Sequence, residues 1–99
     1  MLNIEKRMDG QELIVELEGR LDTLTAPQLE KAVSEDIEKA ESILFDFGKL
    51  EYISSAGLRV LLSAQKIMNK QGKMVVKNCS DEIKEIFEVT GFSDILTIE

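Results

Sequence analysis

The sequence predicts an α/β fold: a mixed sheet of four to five strands with a parallel centre, an antiparallel first strand, and helices between the later strands. Three observations carry this prediction. Two strand-like runs at the N-terminus flank Asp9-Gly10, a strong turn signal. Beyond them, apolar residues at helical spacing alternate with short apolar runs, the mark of strands joined by helical crossovers. The length of 99 residues, 43% hydrophobic and 31% charged, fits a single globular domain over 1–99.

Taken in order, residues 2–8 read as the first strand and 12–18 as its hairpin partner, with Gly19 breaking the pattern. Leu29, Val33 and Ile37, with Ala32 and Ala40, recur at helical spacing. Thr25 is an N-cap candidate and Pro27 fits the first turn, so a helix is expected near 26–39. The run Ile43-Leu44-Phe45-Asp46-Phe47 suits a central strand covered on both faces. A short connection through 48–53 leads to a second helix, capped by Ser54 or Ser55 and stopped at Gly72. Residues 73–77 form the next strand. Ser80 caps a third helix that buries Ile83, Ile86 and Phe87 and ends at Gly91. Residues 95–98 form the last strand. The order β-β-α-β-α-β-α-β implies right-handed parallel crossovers.

Charge and composition narrow the function. The net charge is −7, and 12 basic residues face 19 acidic ones, which argues against nucleic acid and anionic membranes. No apolar run approaches the ~20 residues of a membrane span. The N-terminus lacks the pattern of a signal peptide, so a cytoplasmic setting is expected. Histidine is absent, which removes Ser-His-Asp and Cys-His catalysis and the commonest zinc ligand. Cys79 is alone and reads as a buried small hydrophobe or a loop thiol.

The residues with functional potential gather at the strand-to-helix turn Ile53-Ser54-Ser55-Ala56-Gly57-Leu58. Serines there sit beyond a strand end, where α/β sheets place ligands, and at a helix N-terminus with free N–H groups. One reading is a pair of caps. The other is a phosphoacceptor. Phosphorylation adds about −1.5 to −2 charge and would disrupt a partner packed closely on the loop. Asp22 is either an acid beside this turn or an ordinary turn residue. Asp46, in an apolar strand, needs hydrogen-bond partners and is expected to brace the Ser54-Ser55 loop.

Four segments in order resemble the STAS domains, and within them the anti-sigma factor antagonists. These are Gly19-Arg20-Leu21-Asp22 with Thr25, the run Ile43 to Phe47, the segment Leu50 to Leu58, and Gly72 to Val76 followed by Phe87-x-x-x-Gly91-Phe92. The third looks like the family's Asp-Ser-[Ser/Ala]-Gly-Leu phosphorylation motif. The resemblance implies a binding module and not an enzyme. Unphosphorylated, it would hold an anti-sigma factor that is also a serine kinase, and so free a sigma factor. The kinase, which binds the ATP, would phosphorylate the module and break the complex; a protein phosphatase would reset it. No cofactor is implied for this chain. The acceptor maps to Ser55, with Ser54 where the family often has Asp and therefore the open alternative. Gly57 and Leu58 match the motif, and Asp22, Thr25, Asp46, Ser54 and Ala56 are the supporting and contact residues. A second role stays open on the same resemblance: a constitutive STAS scaffold or adaptor, of a lipid-transport or signalling complex, without a switch. A serine hydrolase is disfavoured, since Gly-x-Ser-x-Gly is absent and no histidine can act as base.

Overall fold

A computed structural model describes residues 1–99. Strand β1 (Leu2–Asp9) turns at Gly10 and pairs antiparallel with β2 (Glu12–Leu21). The chain continues through α1 (Ala26–Ser34), β3 (Ser42–Ile53), α2 (Ser55–Gln71), β4 (Lys73–Lys77), α3 (Asp81–Thr90) and β5 (Thr97–Ile98), with 3-10 turns at Ile37–Lys39 and Phe92–Asp94. The five strands lie in sequence order, and every pair after the first is parallel. The predicted mixed sheet is therefore present.

One expectation fails. Each parallel connection moves one strand in the same direction, so right-handed crossovers put all three helices on one side of the sheet. Leu13, Val15, Leu17, Ile43, Phe45, Phe47, Met74 and Val76 point to that side and form one core with Leu29, Leu61, Ile83 and Phe87. The ring of Phe47 meets that of Phe87 with centroids 6.4 Å apart, which fixes α3 against β3. The opposite face is uncovered. Leu44 and Val75, which alternate onto it, are only half-buried.

Three boundaries differ most from those the sequence predicts, and the last strand is shorter than expected, Thr97–Ile98 instead of 95–98. Strand β3 does not stop at Phe47 but continues to Ile53, carried past Gly48 by shifts of register against β2. Gly19 does not end β2; it lies inside the strand at φ +104, where an added Cβ would strike the Met1 carbonyl oxygen. Helix α1 ends at Ser34 instead of 39. Lys6 of β1 takes the Ala32 carbonyl at 2.9 Å and pairs with Glu35 and Asp36 at 2.7 and 2.9 Å, anchoring the chain where the helix finishes. The side-chain nitrogen of Gln71 then takes the carbonyls of Ile37 and Ala40 at 2.6 and 2.9 Å.

Candidate functional site

Lengthening β3 to Ile53 gives the site its shape. Leu21 pairs with Ile53 at the ends of two parallel strands, so the β2–α1 and β3–α2 turns leave the sheet side by side. The Ser54 N–H donates to the Leu21 carbonyl at 2.9 Å and ties the turns together.

The β2–α1 turn is built by Asp22 and Thr25. One carboxylate oxygen of Asp22 accepts from the N–H groups of Leu24 and Thr25 at 3.0 and 3.1 Å. The Thr25 hydroxyl donates to the Arg20 carbonyl at 2.8 Å and accepts from the Asp22 N–H at 2.8 Å. Thr25 stands at the N-cap position, but its side chain does not cap α1; it is spent closing the turn that precedes the helix. Partial desolvation pushes the Asp22 carboxyl up, but the Thr25 and Leu24 N–H groups, the Thr25 hydroxyl and the Arg20 charge outweigh it and hold the group below its ordinary 3.8. These contacts account for Asp22 as a turn residue. The Arg20 guanidinium lies 4.4 Å from the centre of the Tyr52 ring, so it is stacked and not simply solvated.

The β3–α2 turn separates its two serines. Ser54 is the N-cap, and its hydroxyl oxygen accepts a long bond from the Gly57 N–H at 3.5 Å. Ser55 is the first helical residue; it is exposed, and its hydroxyl makes no hydrogen bond within the chain. No acidic residue occupies the first turn of α2. Gly57 is needed for packing: a Cβ there would stand 2.7 Å from Leu21 and 2.9 Å from Ile53, so its absence lets the helix start close over the strand ends. Leu58 is buried beneath, while Ala56 is half-buried at the surface.

Asp46 is not part of this cluster. Its carboxylate accepts from the Gly48 N–H at 2.9 Å and from the Asn78 amide at 3.1 Å, bracing the end of β4 instead of the Ser54-Ser55 loop. It pairs across the sheet with Glu16 and Lys77, on the side away from the helices, and several residues of extended strand separate it from Ile53.

Two surface features escaped the sequence reading. Leu24 is 89% exposed at the tip of the Asp22–Thr25 turn. A groove of about 340 Å³ begins beside it, with Thr23, Ala26 and Glu30 on the α1 side and Ala56, Arg59 and Val60 on the α2 side. An apolar residue inside a turn sequence was the available signal for Leu24. The groove depends on the packing of α1 against α2, which no local pattern reports. No group of acidic and sulfur side chains in the structure could hold a metal ion. No helix is long and apolar enough to cross a membrane.

Known proteins share this fold. The STAS domain model matches residues 3–99. A Bordetella bronchiseptica protein assigned as the anti-sigma factor antagonist BtrV is 38% identical over 94 residues, 93% of this chain and 80% of that one. An anti-sigma factor antagonist from Mycobacterium paratuberculosis superposes with a TM-score of 0.90 at 19% identity, covering 99% of this chain and 85% of that one. The Bacillus cell fate determinant SpoIIAA in its phosphorylated form gives 0.78 at 19% identity, covering 98% and 91%. At those identities the two structures speak for the fold. The family model, which runs through both turns of the loop cluster and all five strands, places the chain in the STAS domain family.

Proposed function

We propose that this chain is an anti-sigma factor antagonist switched by phosphorylation of Ser55. In the unphosphorylated state it binds an anti-sigma factor that is also a serine kinase, and the sigma factor is released. Phosphate on Ser55 breaks that complex, and a protein phosphatase restores it. The chain is a binding module of the cytoplasm in this reading; the kinase supplies both ATP and chemistry.

The observation that carries the proposal is the difference between the two serines. Ser55 offers a free, exposed hydroxyl at the first position of a helix whose first turn has no acid, whereas the Ser54 oxygen is engaged as the cap. A kinase can reach Ser55 without dismantling the helix start. The added charge of about −1.5 to −2 is compatible with the positive end of α2, so the fold tolerates it. A partner seated on Leu24, Ala56 and the mouth of the groove would meet that charge directly. Loss of binding then follows from desolvation and repulsion at the contact, with no refolding required.

The test incubates the purified protein and ATP with candidate anti-sigma serine kinases from the same organism and maps the phosphosite by mass spectrometry. Pull-down of wild type, Ser55→Ala and Ser55→Asp follows. The expected outcome is phosphate on Ser55, retained binding by Ser55→Ala, and binding weakened at least tenfold, about 1.4 kcal/mol, by Ser55→Asp. Equal binding by all three would replace the switch with a constitutive scaffold. Phosphate on Ser54 would move the acceptor by one residue.

A further inference from the structure

The uncovered sheet face carries an ordered pattern. Parallel strands are ordinarily buried on both sides, yet here β2, β3 and β4 have helices on one side alone. The register sets three cross-strand rows on the open side. Glu12, Ser42 and Lys73 form the first row; Ile14, Leu44 and Val75 the second; Glu16, Asp46 and Lys77 the third. An apolar row thus lies between two rows that are acidic on β2 and basic on β4.

We propose that this face binds a second copy of the same chain, through a two-fold axis running along β3. Such an axis turns the face over and exchanges β2 with β4 across the contact. Glu12 then meets Lys73 of the other copy, and Glu16 meets Lys77. Ile14 meets Val75, and Leu44 meets its own counterpart. Each ion pair occurs twice. An axis perpendicular to the strands would instead set acid on acid, so the charge pattern selects one arrangement. Face-to-face sheets about 10 Å apart with near-aligned strands are an ordinary packing mode.

The surrounding charges bound the strength of this contact. Arg7 lies across from Ile14 on β1 and pairs with Glu16 at 3.1 Å, both groups largely exposed, so Glu16 is shared between Arg7 and the other copy's lysine. Glu5, Asp9 and Glu18 fall on the same side at the β1–β2 edge and Glu99 at the far edge, and the chain's net charge is −7. The two Asp46 side chains face each other near the axis. Exposed ion pairs contribute little each, which places the dissociation constant on the order of 10–100 μM.

A charge exchange tests the proposal by sedimentation equilibrium. Wild type is expected to show a monomer–dimer equilibrium that weakens with added salt. Lys73→Glu with Lys77→Glu should be monomeric, and so should Glu12→Lys with Glu16→Lys. A mixture of these two variants should regain a dimer, because the first supplies acids where the second supplies lysines. Asp46→Asn, which keeps both acceptor bonds of that side chain, should tighten the wild-type dimer by roughly threefold. Circular dichroism of each variant confirms folding, as every changed side chain lies outside the core. A wild type that stays monomeric up to about 1 mM, well above the expected constant, overturns the proposal. A wild-type dimer that survives both charge reversals, or two variants that stay apart when mixed, assigns the contact elsewhere and overturns it equally. None of these measurements involves Ser55, so the outcome is independent of the switch.

Discussion

Two helices of this molecule start with the same device and end up with different surfaces. Ser54 caps α2 by accepting from the Gly57 N–H at 3.5 Å, and Ser80 caps α3 by accepting from the Ile83 N–H at 3.3 Å. Behind the caps the helices diverge. The first turn of α3 carries Asp81 and Glu82, which complement its positive end, and its third residue, Ile83, is fully buried. The first turn of α2 carries Ser55, Ala56 and Gly57, with no acid and no large side chain. The start of α3 is electrostatically complete and anchored by a knob. The start of α2 is bare, held by close approach, and adjoins the exposed Leu24 turn. A serine before a helix is thus a cap in both places, and only at α2 does a free serine follow it into an uncompensated first turn.

The sharpest way to test this contrast is at the third helical residue. Ile83→Ala removes a fully buried side chain and should cost about 2–5 kcal/mol in urea unfolding. Gly57→Val works in the opposite sense, by overpacking. Its Cβ would press on Leu21 and Ile53, both buried, and the expected cost is about 1–3 kcal/mol. The two effects differ in function as well as size. The helix start moved by Gly57→Val is the one that presents Ser55, so partner binding should fall with stability there. Ile83→Ala should leave binding intact wherever the protein remains folded. Equal losses of binding in the two variants would erase the distinction between the helix starts.

How far the sequence exposed this contrast depended on how local each feature is. Ser54, Ser80 and Gly91 are local signals, and each proved to be a helix boundary. The hairpin at Gly10 and the parallel pairing of the later strands were equally accessible, because turn chemistry and helical crossovers act over short spans, whereas the order that leaves one sheet face open was not. What escaped was set at long range. Helix α1 stops where Lys6, from the first strand, takes its carbonyl, and Gln71 closes the following turn from the end of α2. The end of β3 was hidden because Gly48 and Lys49 interrupt the alternation, while pairing with β2 carries the strand through a change of register. The place of Asp46 has the same cause: a β3 ending at Phe47 would set its carboxylate beside the Ser54 loop, whereas the strand runs on to Ile53 and leaves that carboxylate with Gly48 and Asn78. Ser55 was visible as a candidate, but its separation from Ser54 rests on which hydroxyl the fold engages.

Effects of middle size are expected at the caps themselves. Ser54→Ala and Ser80→Ala should each cost about 0.5–1 kcal/mol, at the lower end for capping because both bonds are long. Ser55→Ala should fall within about 0.5 kcal/mol of wild type, since its hydroxyl has no partner to lose. Comparing the three by thermal melting therefore isolates the cap from the acceptor. The Asp22 turn beside α2 adds a pH signature. Its carboxyl titrates lower folded than unfolded, so the support it gives is fully present above the ordinary value of 3.8 and is lost as pH falls through the lowered folded value. Asp22→Asn should flatten that acid limb of the stability curve, and carboxyl NMR titration of Asp22 should give a midpoint below 3.8.

The smallest expected effect bears most directly on the switch. Ser55→Asp places a negative charge at the first position of α2, where the helix dipole favours it, and should stabilise the fold by about 0.3–1 kcal/mol at low salt. The mirror-image change at the other helix start, Asp81→Asn, should destabilise by a similar amount. Both effects should shrink as salt screens the charges. The same Ser55→Asp variant is expected to lose partner binding at least tenfold, so stability and affinity move in opposite directions from one substitution. That opposition is the signature of a charge that suits the free domain and offends the complex. If Ser55→Asp instead lowered the melting temperature and binding together, local unfolding of the α2 start would explain the loss, and the bare first turn would be a weak point of the fold and not a place kept clear for phosphate.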